Sequence, residues 1–449
     1  MKAPNSNIAG IGLRRLSLDM ALTFGRQFFA GLLQLGIILF ISRLLGPEGA
    51  GAYAVALLLP TLLSQLLNLG MAPANVYFVA SKQFNLAHAW TACRNLVLSL
   101  SVVGLATGAV IILLAGAPLF PGIDPKLLFL AMLIFPTSLM SGILASLYQA
   151  LQNFRAYNAL VLIQPMVALF LMVLLWATSA FTLPAVMIAT VTAHGVALVV
   201  GLTILNRSVS VLEPSIDAFG YLRPALRYGV KAHLGNLVSF LNYRMDIFLV
   251  NLFLGPAGAG LYSIAVRLVE QLWMISQAVS TVLLPRLSAM MTDDAGRRGL
   301  TPLVARFVLW GTLLAAGILA AVAAPLIEAL FGAEFLGATP ALMVLLPGIV
   351  AISCGRILAN DLAARGLVGV NLALASGILA VNLTGNLLLI PAFGIVGAAL
   401  ATTIAYVSNL LIRLILLNRI SGIIWWQVLI PMPEDFQRIK SILKRKSIA

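Results

Sequence analysis

Charge is what this chain has least of. Only 9% of its 449 residues are Asp, Glu, Lys or Arg, against 61% that are hydrophobic. A soluble fold of this length needs a charged surface to stay dispersed in water. This composition cannot supply one, so lipid is the natural solvent. Histidine and cysteine are scarce too, three and two respectively. Cys93 and Cys354 lie in or beside apolar runs and offer neither a disulfide framework nor a metal spacing. They read as small buried apolar side chains. The sequence also lacks a glycine-rich phosphate loop, a metal-ligand cluster and a nucleophile elbow. Covalent catalysis and a bound cofactor are therefore not expected. The alternating pattern of a membrane β-barrel is missing, and the apolar runs are long and continuous. The fold class is all-α.

A helix needs ~20 apolar residues to cross the hydrocarbon core. Twelve runs qualify, near residues 22–42, 51–79, 88–115, 125–148, 158–177, 182–205, 228–254, 259–288, 303–331, 338–363, 369–390 and 394–418. The polar start holds Lys2, Arg14 and Arg15, and the run after it is too long for a cleaved leader, so it reads as an uncleaved first span. The net charge of +14 comes from basic residues spread over short loops, with no nucleic-acid patch. With the N-terminus in the cytoplasm, Lys82, Arg155, Arg223, Arg297, Arg306, Arg413 and most other basic loop residues fall inside, with Arg43 and Lys126 as exceptions. Both termini are then cytoplasmic. After Arg419 the chain changes character. Trp425 and Trp426 are followed by Pro431 and Pro433, then by a basic amphipathic stretch ending in Lys444, Arg445 and Lys446, which suits the cytoplasmic lipid interface.

Residues 45–56 read LGPEGAGAYAVA and residues 254–265 read LGPAGAGLYSIA, matching at eight of twelve positions with an offset of 209. Each joins an odd span to the next, first to second and seventh to eighth. The spans therefore form two parallel six-helix repeats, an arrangement that places a substrate between halves. The expected organisation is an N-terminal bundle over 1–205, a cytoplasmic connection over 206–226, a C-terminal bundle over 227–418 and a basic interfacial tail over 419–449.

These motifs carry a resemblance. SRLLGPEGAGAYAVA after the first span, NYRMDIFLVNLFLGPAGAGLYSIAVRL over the seventh and eighth, and PAFGIVGAALATTIA at 391–405 are similar to the polysaccharide-transport branch of the multidrug/oligosaccharidyl-lipid/polysaccharide (MOP) superfamily. The resemblance covers nearly the whole chain. It implies a flippase that moves polyprenyl-pyrophosphate-linked oligosaccharide, of O-antigen or exopolysaccharide type, across a bacterial cytoplasmic (inner) membrane by alternating access. It also implies a cationic cavity for the headgroup, with lipids and polysaccharide polymerase or export machinery as partners. Coupling to an H+ or Na+ gradient stays open. An organic-cation extruder of the same superfamily is the alternative, and a membrane polysaccharide polymerase or ligase a second one. The first would want unpaired carboxylates, the second long charged outward loops. Neither feature is prominent here.

Charged groups inside a membrane are costly and point to function. Span seven carries Asn236, Asn242, Arg244, Asp246 and Asn251; span eight carries Ser263, Arg267, Glu270, Gln271, Gln277 and Thr281. At ~100° per residue the span-eight set falls in a sector of about 120°. Counting outward from the turn near Ala257, Arg244 and Glu270 reach similar depth, as do Asp246 and Arg267, ~15–20 Å from the outer end. Two readings of this quartet stand: helix packing, or arginines that grip pyrophosphate through bidentate forks. Ion coupling through Asp246 or Glu270 is a third. Arg26 and Gln27 on span one are further cavity candidates. Arg356, Asn360, Asp361 and Arg365 form i,i+4 pairs at the inner end of span ten, either as an internal salt bridge or as an inner gate.

Overall fold

The computed structural model describes the backbone of residues 6–208, 218–290, 293–432 and 435. Side chains are described for these residues apart from 6–24, 26–28, 207, 208, 218, 219, 231 and 232. The described chain is helix joined by short connections. In lipid every backbone amide and carbonyl must find a partner within the protein, and the helix does this within one segment.

The chain divides into two compact units, Met1–Leu237 and Val238–Ala449. The first contains α1 (Ser6–Ala56), α2 (Leu58–Leu67), α3 (Met71–Ala80), α4 (Leu86–Leu119), α5 (Pro125–Met132), α6 (Ile134–Ala150), α7 (Phe154–Ala177) and α8 (Leu183–Ser208). The long α9 (Ala218–Glu270) runs from the first unit into the second. The second continues with α10 (Trp273–Ala289), α11 (Asp294–Phe331), α12 (Thr339–Ala364), α13 (Val368–Ser421) and α14 (Trp425–Leu429). Of the expected connection 206–226, residues 209–217 lie outside the described residues, and Ala218 onward is already helix.

The start of α9 belongs to the first unit because it docks there. Tyr221 donates to Asn75 Oδ1 at 2.6 Å. Tyr228 stacks on Tyr77 with centroids 4.9 Å apart, and Phe78 and Phe84 close the cluster. His233 Nε2 lies 3.2 Å from the Leu66 carbonyl. Cys93, buried and free, points its thiol at the same Asn75 oxygen.

Nine helices among the described residues are long and apolar enough to cross a membrane. Three of these contain a turn glycine, namely Gly46 in α1, Gly255 in α9 and Gly394 in α13. The two arms of α13 run back along each other, for a Cβ on Gly397 would meet the Leu389 carbonyl and one on Gly385 would meet Ala401. Gly46 (φ 64, ψ −172) and Gly255 (φ 73, ψ −175) adopt one conformation at the repeat offset. Both repeat tyrosines are buried and hydrogen-bonded, Tyr53 to Thr190 at 3.1 Å and Tyr262 to Asp246 at 2.8 Å. The sequence repeat is thus a repeat of backbone geometry and of a buried tyrosine anchor. That backbone region is almost closed to residues with a Cβ, at a cost of about 1–3 kcal/mol. A Cβ on Gly255 meets nothing within 4 Å, so the cost there is backbone strain alone. Gly255→Ala should lower stability by about that amount. Thermal unfolding of the purified protein checks this, and an unchanged midpoint would show that the turn relaxes freely.

Beyond the Gly422 cap, α14 packs on α11. Val428 is fully buried, and Trp310 Nε1 donates to the Leu429 carbonyl at 3.0 Å. Arg306 grips Asp435 with two bonds of 2.8 and 2.9 Å and also meets the Gln427 carbonyl. Trp425 and Trp426 are exposed. The basic stretch 436–449 lies outside the described residues.

Candidate functional site

The second unit holds most of the polar side chains singled out from sequence. The antiparallel arms of α9 bring Arg244 Nη1 to 3.5 Å from Glu270 Oε1, with side chains 38% and 19% exposed. The contact is long, and the arginine is the more exposed of the two partners. Asp246 is buried and accepts from the Tyr262 hydroxyl and from the Ile247 amide, both at 2.8 Å. Ser263 is buried and bonds its own helix, while Gln271 is exposed and donates to the Arg267 carbonyl at 3.2 Å. Arg267 is half-buried, and Asn236 and Gln277 are exposed. Arg26 and Gln27 lie on α1, where their side chains are outside the described ones.

A cavity of about 350 Å³ opens within this unit between α9, α10, α12 and α13. Asn242, Tyr243, Arg356, Tyr406, Asn409 and Arg413 supply its polar and aromatic lining. Arg413 is only 6% exposed. Its Nε donates to Asn409 Oδ1 at 2.6 Å and its Nη1 to Asn371 Oδ1 at 2.5 Å. Arg356 reaches Gln277 Oε1 and lies 5.7 Å from the Trp273 ring centroid, a cation–π distance. Neither arginine forms an ion pair with a carboxylate among the described residues. Asn242, also 6% exposed, donates to the Val238 and Ala375 carbonyls, both at 3.1 Å, while its Oδ1 has no partner. The site therefore combines two cations, one orphaned acceptor and two tyrosines. Arg413 lies 19 residues past Gly394, or ~28 Å of helix, and Asn242 lies 13 before Gly255, or ~20 Å. The two turn glycines belong to one end of the unit, since a Cβ on Gly394 would touch Leu254. The cavity sits well away from that end.

The residues grouped as a gate separate into two sets. Arg356 lines the cavity, and Asn360 donates to Ser280 at 2.5 Å, so both reach toward α10 and not to each other. Asp361 is wholly buried and accepts from Arg365 Nε at 2.6 Å and from Thr301 at 2.9 Å. Arg365 also pairs with Asp294 at 2.8 Å, tying α12 to α11.

Arg413 is the main residue that sequence reasoning misplaced. Counted among cytoplasmic loop cations, it is buried inside the unit, drawn in by Asn409 one helical turn earlier and by Asn371. The Asn409/Arg413 spacing within an apolar span was the available signal. Arg297 and Arg306, also counted as loop charges, are buried as well, Arg297 on the Leu287 carbonyl and Arg306 on Asp435. A further buried chain carries no charge and so leaves no mark among the intramembrane ions: Asn386 donates to Asn382, and Asn382 to Thr402 at 3.1 Å. Among the described residues no group of three or more His, Cys, Asp or Glu could hold a metal ion.

A family model described as polysaccharide biosynthesis protein matches residues 40–340. The probable low-salt glycan biosynthesis flippase Agl15 of Haloferax volcanii is 27% identical over 208 residues, 45% of this chain and 43% of that protein. The chain spans less than half the length of the curated relatives it matches. Among solved structures, the lipid II flippase MurJ in an inward closed conformation aligns with a TM-score of 0.72 and 17% identity, over 88% of this chain and 87% of that one. An inward-facing multidrug resistance MATE family transporter of the MOP superfamily aligns at 0.63 and 15% identity, over 88% and 95%. At these identities the likeness is one of fold.

Proposed function

The chain belongs to the polysaccharide biosynthesis protein family, and on that premise we propose that it is a flippase. Its cargo is a polyprenyl-pyrophosphate-linked oligosaccharide, moved from the cytoplasmic to the outer leaflet of a bacterial inner membrane by alternating access. The observation that carries the reading is the polarity of the second unit's interior. Arg356 and Arg413 line a cavity without carboxylate partners among the described residues, and Arg244 has only a long contact to Glu270. A cation held in a membrane protein without a countercharge is costly, and an anionic ligand offsets that cost. An extruder of organic cations would place carboxylates where guanidinium groups stand.

In this reading Arg244 exchanges Glu270 for a pyrophosphate oxygen, and Arg267, one turn before Glu270, takes a second. Gln271 and Gln277 are further proposed contacts in the second unit, and Asn236, Arg26 and Gln27 are the contacts proposed in the first. Asp246, fixed by Tyr262, is the position for ion coupling if a gradient drives the cycle. An inside-negative potential by itself favours outward movement of an anion by ~2.3 kcal/mol per charge per 100 mV. Polymerase or export machinery would receive the delivered unit.

The test is reconstitution in liposomes with a fluorophore-labelled polyprenyl-pyrophosphate saccharide and a membrane-impermeant quencher. Wild-type protein should expose the inner-leaflet label. Arg244→Ala and Arg267→Ala should each slow this about tenfold or more, the loss of a charge-assisted bond worth ~1.5–3 kcal/mol, with insertion unchanged. Label movement no faster than in protein-free liposomes would reject the flippase, and wild-type rates in both variants would reject the pyrophosphate contacts.

A further inference from the structure

On α11, Phe307, Trp310, Leu314 and Ile318 are exposed and recur every three to four residues, so they form one apolar stripe on a helix long enough to cross a membrane. Lipid is what covers such a stripe. Trp310 lies 21 residues before Phe331, or ~32 Å of helix, close to the ~30 Å thickness of a hydrocarbon core. Its ring therefore sits where the core gives way to headgroups, the depth that tryptophan favours. At this depth α14 is fastened to α11 by the Trp310–Leu429 hydrogen bond, the Arg306–Asp435 pair and the buried Val428. A helix of five residues has little stability of its own, so these contacts set its orientation. They leave Trp425, Trp426 and Ile430 exposed, with the two indole rings edge to face at 5.8 Å. That free face borders the apolar stripe of α11 at headgroup level.

Cations stand beside it. A Cβ on Gly422, three residues before Trp425, would lie 3.9 Å from Arg298 Nη1. Arg419 is in the last turn of α13, and both arginines are exposed. Arg419 has no ion pair among the described residues. Asp435 is engaged by Arg306, and Asp294 is shared between Arg298 and Arg365.

We propose that α14 and the Gly422 turn form a docking surface for the headgroup layer of an anionic bilayer. Trp425, Trp426 and Ile430 enter the layer, and Arg298 and Arg419 meet the phosphates of anionic lipids. Each cation near an anionic membrane surface strengthens binding about fivefold. The seating of the chain in its membrane is independent of what the chain transports, so this surface stands or falls apart from the flippase reading.

The experiment uses the full-length protein in detergent, titrated with phosphatidylglycerol or with phosphatidylcholine. Binding is read as the rise in thermal midpoint with added lipid. Phosphatidylglycerol should raise the midpoint more than phosphatidylcholine does. Arg298→Gln combined with Arg419→Gln should weaken the apparent affinity for phosphatidylglycerol at least fivefold. The lipid-free midpoint should stay near that of wild type, because both side chains are exposed. A second measurement reads the tryptophans in liposomes. The fluorescence lost in the Trp425→Phe/Trp426→Phe double variant should be quenched more by phosphatidylcholine brominated near the headgroup end of its acyl chains than by aqueous acrylamide. Equal affinity for the two lipids would overturn the proposal, as would equal phosphatidylglycerol affinity in wild type and the arginine variant. A tryptophan pair quenched by acrylamide and untouched by brominated lipid would also overturn it, and would leave α14 to water or to a protein partner.

Discussion

Arg365→Leu should destabilise the protein by about 3–5 kcal/mol, the range for breaking a buried ion pair from one side. Asp361 has no solvent exposure, and its charge is balanced by Arg365 Nε at 2.6 Å with help from the Thr301 hydroxyl. Without the arginine, one hydroxyl must support a carboxylate cut off from water. The same substitution also releases Asp294 at the start of α11. Replacing both partners, Asp361→Leu with Arg365→Leu, removes the stranded charge and should recover most of the loss, since an apolar pair of similar volume often substitutes for a buried ion pair. Thermal or denaturant unfolding of wild type, both singles and the double measures the coupling. If the double is as unstable as the Arg365 single, the pair does not act as a unit and the buried charge is not the cause. If all four proteins are equally stable but transport fails, the cluster acts as a gate and not as a clasp between α11 and α12.

The second large effect is expected where α9 crosses the break between α2 and α3. Gly70 sits in the left-handed region at φ 70, and a Cβ there would lie 2.1 Å from the Gly229 carbonyl oxygen. A Cβ on Gly229 would lie 2.4 Å from the Gly70 carbonyl oxygen. Both obstacles are backbone and cannot rotate away. Gly229→Val should therefore push the two segments apart and cost about 3 kcal/mol, the upper part of the usual overpacking range. Gly70→Ala should cost a similar amount, with about 1–2 kcal/mol of it from the left-handed backbone. The displaced α9 would also pull Tyr221 from Asn75 and Tyr228 from Tyr77. Folded yield and thermal midpoint report the effect. Near-wild-type midpoints in both variants would mean that the crossing is looser than these distances imply.

Apolar runs made the helices legible, because a membrane leaves the backbone no other economical choice. The repeat was legible because a Gly-Pro turn with a tyrosine seven residues on leaves a mark in sequence, and Gly46 and Gly255 share a conformation. The Arg244–Glu270 pair followed from helical rise counted outward from that turn. What stayed hidden depends on contacts distant in sequence. Arg413 looked like one more loop cation until Asn371, 42 residues away, was seen to hold it. Asn242 looked like any polar residue on span seven. Only the fold shows that its amide nitrogen is used and its oxygen is not. The docking of α9 beside α3 rests on two glycines and five aromatic rings that no periodicity connects. Arg306 could not be read as buried while its partner Asp435 seemed part of a lipid-bound tail.

A flippase that carries a lipid-linked oligosaccharide outward leaves its cargo behind when it is deleted. Mass spectrometry of polyprenyl-linked lipids from cells with and without the gene, alongside surface polysaccharide, tests it most directly. The expected result is accumulation of a pyrophosphate-linked oligosaccharide in the deletion together with loss of the surface polymer, both reversed by restoring the gene. An unchanged lipid-sugar pool with intact surface polysaccharide, in cells where no second flippase gene remains, would contradict it.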